Sequence, residues 1–136
     1  MPKSHEAQVV SQPVDAPADT VYRFARQMEN LPLWASGLAQ GISRHQGEWL
    51  AESPMGKVKV SMVPDNPFGV LDHEVVLPDG TSVHNALRVS PCGEGSLLTF
   101  VVLRLPGVSP QDFDADVAHV RRDLMALKRL MERPAS

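Results

Sequence analysis

Three observations predict an α+β fold in which a curved antiparallel sheet is wrapped around one long C-terminal helix. From Ile42 to Leu105 strand-like runs alternate with turn residues, the pattern of an antiparallel meander. From Ser109 to Met131 a single apolar stripe recurs at helical spacing. One strand and two short helical segments precede the meander. The order is therefore β-α-α-β6-α, and a chain of 136 residues accommodates it as one domain, residues 1–136.

Glu6 to Gln12 has the composition of a first strand, which Pro13 should end. Pro17 then opens a helix, with Asp19 near its positive end. Val21, Phe24, Ala25 and Met28 follow i, i+3, i+4, i+7 spacing and give this helix one buried face. Asn30-Leu31-Pro32 breaks it, and Leu33-Trp34-Ala35 begins a short second helix before Gly37 and Gly41.

The hairpin from Gly69 to Ser90 can be registered from its chemistry. Pro78 presets φ for a turn and Gly80 accepts a left-handed conformation, so Pro78-Asp79-Gly80 is a three-residue loop. Leu77 then faces Thr81, Val75 faces Val83, His73 faces Asn85 and Leu71 faces Leu87. One side of the hairpin is apolar except for His73 and Asn85. The other side carries Asp72, Glu74, His84 and Arg88, which are expected to form ion pairs on the outer face. A slip of one residue would mix the two sets.

The preceding hairpin is registered less directly. With Met55-Gly56 as a two-residue loop, Trp49, Ala51 and Ser53 share a face with Val58, Val60 and Met62, and Glu52 lies opposite Lys59. Leu97 to Leu105 is apolar on both faces and yields no register. Pro106-Gly107 ends the sheet.

Ser109-Pro110-Gln111-Asp112 is a helix start, with a serine cap and proline at the first helical position. Phe113, Val117, Val120, Leu124, Leu127 and Met131 then step by four and three residues along a helix of about 22 residues. Asp112, Asp114 and Asp116 lie at its start and Lys128, Arg129 and Arg133 at its end, an order that complements the helix dipole on a solvated face. The apolar stripe needs a partner, and the inward side of the sheet is the large apolar surface on offer.

Composition excludes several classes. The net charge is −3, and Lys and Arg form no block outside the last helix, so nucleic acid is not an expected partner. The single cysteine, Cys92, has no internal disulfide partner and no metal-ligand spacing around it. The first residues lack the apolar run of a signal peptide, and no segment approaches about 18 consecutive apolar residues. A cytoplasmic protein without membrane insertion is expected, with no metal and no cofactor. Gly-rich phosphate loops, paired metal-binding histidines and the Gly-x-Ser-x-Gly elbow are all missing.

The chemistry therefore rests on few side chains. His73, inward beside Asn85, reads three ways: a core histidine satisfied by Asn85, a ligand contact, or an acid/base group. Asp72 cannot orient it from the same wall, because neighbouring strand residues point to opposite faces. Trp34, after the Leu31-Pro32 break, should close one end of the space between sheet and helix. Trp49 and Met62 lie on the inward face. Arg104, at the end of the last strand, reads as a solvated arginine or as a contact for an anionic group.

The arrangement resembles the helix-grip fold of the START-like, Bet v 1-like superfamily, and within it the polyketide cyclase/dehydrase-type SRPBCC proteins. The resemblance is carried by Asp15 to Phe24, by Asn30-Leu-Pro-Leu-Trp34, by Gly47-Glu-Trp-Leu-Ala51, by the Gly69 to Val89 hairpin and by the terminal helix. It implies a cavity between sheet and helix for a small hydrophobic, amphipathic or aromatic ligand, lined by Trp34, Trp49, Met62, His73 and Asn85. It leaves open a cyclase using His73 as acid/base, a co-chaperone-like interaction module with a filled interior, and a homodimer.

Overall fold

A computed structural model describes residues 2–38 and 40–133. Strand β1, Ala7–Val14, leads into helix α1, Ala18–Ala25. A 3-10 turn at Met28–Asn30, helix α2 at Leu31–Trp34 and a second 3-10 turn at Ser36–Leu38 follow. Six strands come next: β2 Ile42–His45, β3 Glu48–Ser53, β4 Gly56–Met62, β5 His73–Val76, β6 Ser82–Cys92 and β7 Gly95–Leu103. Helix α3, Pro110–Met131, ends the order. The seven strands form one antiparallel sheet in the order β1-β7-β6-β5-β4-β3-β2. This is the helix-grip arrangement that the segment order predicts.

The hairpin carrying His73 has the predicted register. His73 pairs with Asn85, Glu74 with His84 and Val75 with Val83. The Leu77 N–H donates to the Thr81 carbonyl at 2.8 Å, and that of Gly80 to the Leu77 carbonyl at 2.9 Å, closing the three-residue loop. Upstream, Gly69 enters the pair so closely that a Cβ there would lie 2.1 Å from the Val89 carbonyl oxygen, and its φ of +74° also favours glycine.

The β3–β4 turn is Pro54-Met55 rather than Met55-Gly56, which places Glu52 opposite Lys57 instead of Lys59. The Ser53 hydroxyl holds this turn, accepting from the Met55 N–H at 3.2 Å and donating to the Gly56 carbonyl at 2.7 Å. Partners move by two residues, so every side chain keeps its predicted face. Glu52 meets Lys57 at 3.8 Å, and Lys59 turns to Glu48 at 2.5 Å.

Three boundaries differ from expectation. β1 continues through Pro13 to Val14, because it is an edge strand and an edge tolerates a residue without an N–H. Pro17 stands just outside α1, and its carbonyl accepts the Val21 N–H at 3.1 Å. α2 begins at Leu31, with Pro32 inside its first turn, where the missing N–H costs nothing. β7, unregistered from sequence, lies between β1 and β6: Val10 faces Phe100, and Phe100 faces Leu87.

The core lies between the concave side of the sheet and the helices. Leu87, Leu98 and Val10 meet Val21 and Ala25 of α1 and the α3 stripe, of which Phe113, Val117, Leu124 and Leu127 are buried. Val120 and Met131, also on the stripe, are half-buried. Ser109 caps α3 by accepting the Asp112 N–H at 3.1 Å. The helix packs against β1, β7, α1 and α2, toward one side of the sheet. Leu127 has no solvent exposure, so Leu127→Ala should cost about 2–5 kcal/mol in denaturant melts. A loss below about 1 kcal/mol would place α3 outside the cooperative core.

Candidate functional site

α3 covers the β1–β7 side of the sheet, and the remaining concave face borders a cavity of about 450 Å³. Val60, Val75, Phe100 and Val102 line its sheet wall, and Val120 and Leu124 its helix wall. Leu31, Trp34 and Gly37 close one end, and the exposed Met55 reaches it from the β3–β4 turn. A groove of similar volume lies beside Tyr22, Asp65 and Phe68, but its polar groups already serve each other. The Tyr22 hydroxyl donates to Asp65 at 2.7 Å and accepts the Asn66 N–H at 2.8 Å.

His73 and Asn85 both line the cavity, on the face that the hairpin register predicts. The hydrogen bond of His73 runs from Nδ1 to the Leu71 carbonyl at 3.0 Å, not to Asn85. A carbonyl only accepts, so Nδ1 carries the proton. Burial lowers the pKa of His73 from its ordinary value, against the smaller opposing pull of the Leu71 carbonyl and the Asp72 charge. The ring is therefore neutral at pH 7, with Nε2 left as an acceptor. Its edge packs against Phe100, with the ring centres 6.2 Å apart.

Asp72 is ion-paired on the outer face as expected, with Arg88 and His84, but not as a solvated surface pair. Asp72 is only 6% exposed and replaces a rung of the β-ladder. The Leu71 N–H donates to the Leu87 carbonyl at 2.8 Å, but the Leu87 N–H returns to the Asp72 carboxylate at 3.0 Å rather than to Leu71. That exchange frees the Leu71 carbonyl to hold His73. Asp72 thus positions the ring through the backbone, although it points away from it. Arg88 binds the same carboxylate at 3.0 Å and His84 stands at 3.5 Å, while Glu74 accepts from Ser82 at 2.6 Å.

Trp34 lines the cavity and is 5% exposed, and its indole N–H has no partner among the described residues. Trp49 and Met62 lie outside the lining, half-buried against the core. Trp49 sits on β3, one strand from the β2 edge, where the Arg44 guanidinium covers its ring at 5.7 Å. Met62 ends β4 opposite His73, beyond the lining. Arg104 is structural, donating to the Val108 carbonyl at 2.8 Å and to Glu6 at 3.0 Å.

The helix wall contributes polar residues that the sequence reading overlooked. Asp116, His119 and Asp123 line the cavity beside the apolar stripe. The Ser36 hydroxyl donates to Asp123 at 2.7 Å and lies 3.2 Å from His119 Nε2, and the Ser36 N–H donates to Asp123 at 3.1 Å. Asp123 is also 3.4 Å from His119 Nε2. One imidazole nitrogen faces both serine and carboxylate, so the group is a clamp and not a nucleophile relay, which needs the two ring nitrogens divided between them. The clamp ties the turn after α2 to α3. A signal was present in the sequence, since positions 116, 119 and 123 form a polar rib flanking the stripe, but Ser36 is 87 residues away from Asp123. Among the described residues no group of three or more His, Cys, Asp or Glu could hold a metal ion, and no helix is long and apolar enough to cross a membrane.

The same architecture recurs in solved structures. A START superfamily protein from Mycobacterium smegmatis matches with a TM-score of 0.68 at 15% identity, over 93% of this chain and 97% of the other. Ara h 8.0201 matches with a TM-score of 0.64 at 12% identity, over 93% and 97%. DynU16, a protein in the dynemicin biosynthetic locus, matches with a TM-score of 0.71 at 17% identity, over 97% of this chain and 48% of its own. No family model and no curated protein sequence matches. The chain thus shares the helix-grip fold of these structures.

Two outcomes test the geometry. Asp72→Ala leaves the Leu87 N–H unpaired and should cost about 1–3 kcal/mol at pH 7, whereas Asp72→Asn keeps an acceptor and should cost less. Burial would raise the Asp72 pKa, but Arg88 and the Leu87 N–H together lower it. Its contribution is therefore complete above the ordinary aspartate value of about 3.9 and fades as acid protonates it in the fold, so the cost of Asp72→Ala should shrink as the pH falls below that value. Equal melts for the wild type and Asp72→Ala at pH 7 would remove the carboxylate from the ladder. In NMR titrations His73 should show a protonated Nδ1 at pH 7 and a midpoint below about 6.5. A midpoint above that value would contradict its desolvated setting.

Proposed function

We propose that this protein binds a small hydrophobic or amphipathic ligand in the cavity between its sheet and α3. The observation that carries the reading is the unfilled volume of about 450 Å³, walled by aliphatic and aromatic side chains with a few convergent polar groups. An interaction module with a side-chain-filled interior fits that volume less well. Trp34, His73 and Asn85 would touch the ligand, with Trp49 and Met62 supporting the wall from outside. Because His73 presents an acceptor, it suits a ligand hydroxyl, whereas the Asn85 amide can serve a hydroxyl or a carbonyl.

A second reading, catalysis of the cyclase type, is favoured by that same neutral imidazole, which can take a proton from an activated carbon while Asn85 binds the adjacent carbonyl oxygen. Turnover of a poly-β-ketone mimic that disappears in His73→Leu would select it.

The two tryptophans offer a direct test of the binding reading, since only Trp34 lines the cavity. A hydrophobic contact quencher such as a brominated alkyl compound should quench emission in the wild type and in Trp49→Phe, and quenching should fall steeply in Trp34→Phe. Quenching that follows Trp49 instead would move the site to another surface, and saturable binding by no probe would end the proposal.

A further inference from the structure

The charge of the cavity lining is one-sided. Asp116 and Asp123 belong to it, and among the described residues neither lysine nor arginine does. The His119 ring nitrogen near Asp123 is already held between that carboxylate and Ser36, and His84 Nε2 faces Asp72. A carboxylate or phosphate entering here would lose water and meet two carboxylates, with no lysine or arginine among the described lining residues to offset them.

The hydrogen-bonding groups are equally specific. His73 Nε2 accepts, as does the Asp116 carboxylate at the exposed rim. Loss of water around Asp116, and then the neighbouring charge of Asp112, raise its pKa, which a bound donor would relieve. Against these acceptors stand the Asn85 amide, which can donate as well as accept, and one fully buried unsatisfied donor, the Trp34 indole N–H, in a residue 5% exposed that lines the cavity. Buried donors of this kind are nearly always paired.

We infer, resting on the reading that the cavity holds a ligand, that the ligand is an uncharged or cationic amphiphile, with an acceptor for Trp34 Nε1 and a hydroxyl or ammonium donor for His73 Nε2 or Asp116. Fatty acids and other anionic lipids are excluded. The ligand class is that of hydroxylated or amine-bearing molecules with an apolar body.

Titration of the full chain at neutral pH with pyrene, pyrenemethanol, pyrenemethylamine and pyrenecarboxylate separates the head group from the apolar body. The alcohol and the ammonium should bind at least about tenfold more tightly than the carboxylate, with pyrene between them. Asp116→Asn, at an exposed rim position, should narrow the gap between ammonium and carboxylate by about threefold or more and leave pyrene unchanged. Trp34→Phe should weaken pyrenemethanol more than pyrene. A carboxylate that binds as well as the alcohol, or a gap indifferent to Asp116→Asn, overturns the inference. If pyrene binds and all four probes bind alike, the cavity reading stands and the inference fails. If none of them binds, the cavity reading fails and takes the inference with it.

Discussion

A single helix is too narrow to cover the sheet it grips. Seven strands about 4.8 Å apart span roughly 29 Å, and a helix with its side chains is about 10–12 Å across. α3 spends its apolar stripe on the β1–β7 side, with α1 beside it against β6 and β7, and that choice leaves the inward faces of β4 and β5 without a helical partner. The twist of the sheet curls those strands back toward the helix. What remains between them is a cavity, with walls set by two elements that do not touch across it. The other features of the site follow from how its ends are closed. α2 places Trp34 at one end, and the Ser36–Asp123 clamp holds that end against α3.

The polar chemistry of the wall depends on one interrupted rung. Had the Leu87 N–H returned to the Leu71 carbonyl, as a regular antiparallel pair requires, that carbonyl would have been less free to orient His73. Asp72 takes the N–H instead and is held by Arg88, so the imidazole acquires a defined tautomer from a carboxylate on the opposite face. The interior stays nearly uncharged on the sheet side while the helix side carries Asp116 and Asp123. That asymmetry gives a bound molecule an orientation as well as a volume.

Much of this was legible in the sequence, and the illegible parts share a cause. Pro78-Asp79-Gly80 and two chemically distinct faces leave one register for the hairpin, so the inward positions of His73 and Asn85 follow from residue types. The α3 stripe is equally plain, because one period governs 22 residues. The outward face of Asp72 and its pairing with Arg88 follow from the alternation, but its bond to the Leu87 N–H does not, because a period-two pattern reports which face a side chain leaves from, not whether it bends back to the backbone. The β3–β4 turn was displaced because Met-Gly and Pro-Met compete closely, and the Ser53 hydroxyl decides between them. β7 resisted registration because it lies between two other strands with both faces partly covered. The Ser36–His119–Asp123 clamp joins segments that no local pattern connects. Trp49 has the inward-face parity of a lining residue but lies on a strand beyond the cavity, a distinction set by sheet curvature rather than by alternation.

The central claim is that the space between the sheet and α3 is unfilled in the native protein. Filling it from the helix side tests this without any knowledge of the ligand. Val120 lines the cavity and is half-buried, so Val120→Phe should project a ring into open volume. The account predicts that thermal and denaturant stability change by less than about 0.5 kcal/mol or improve. A loss of about 1–3 kcal/mol, the usual cost of overpacking a well-filled core, would show that the interior is closed and contradict the account.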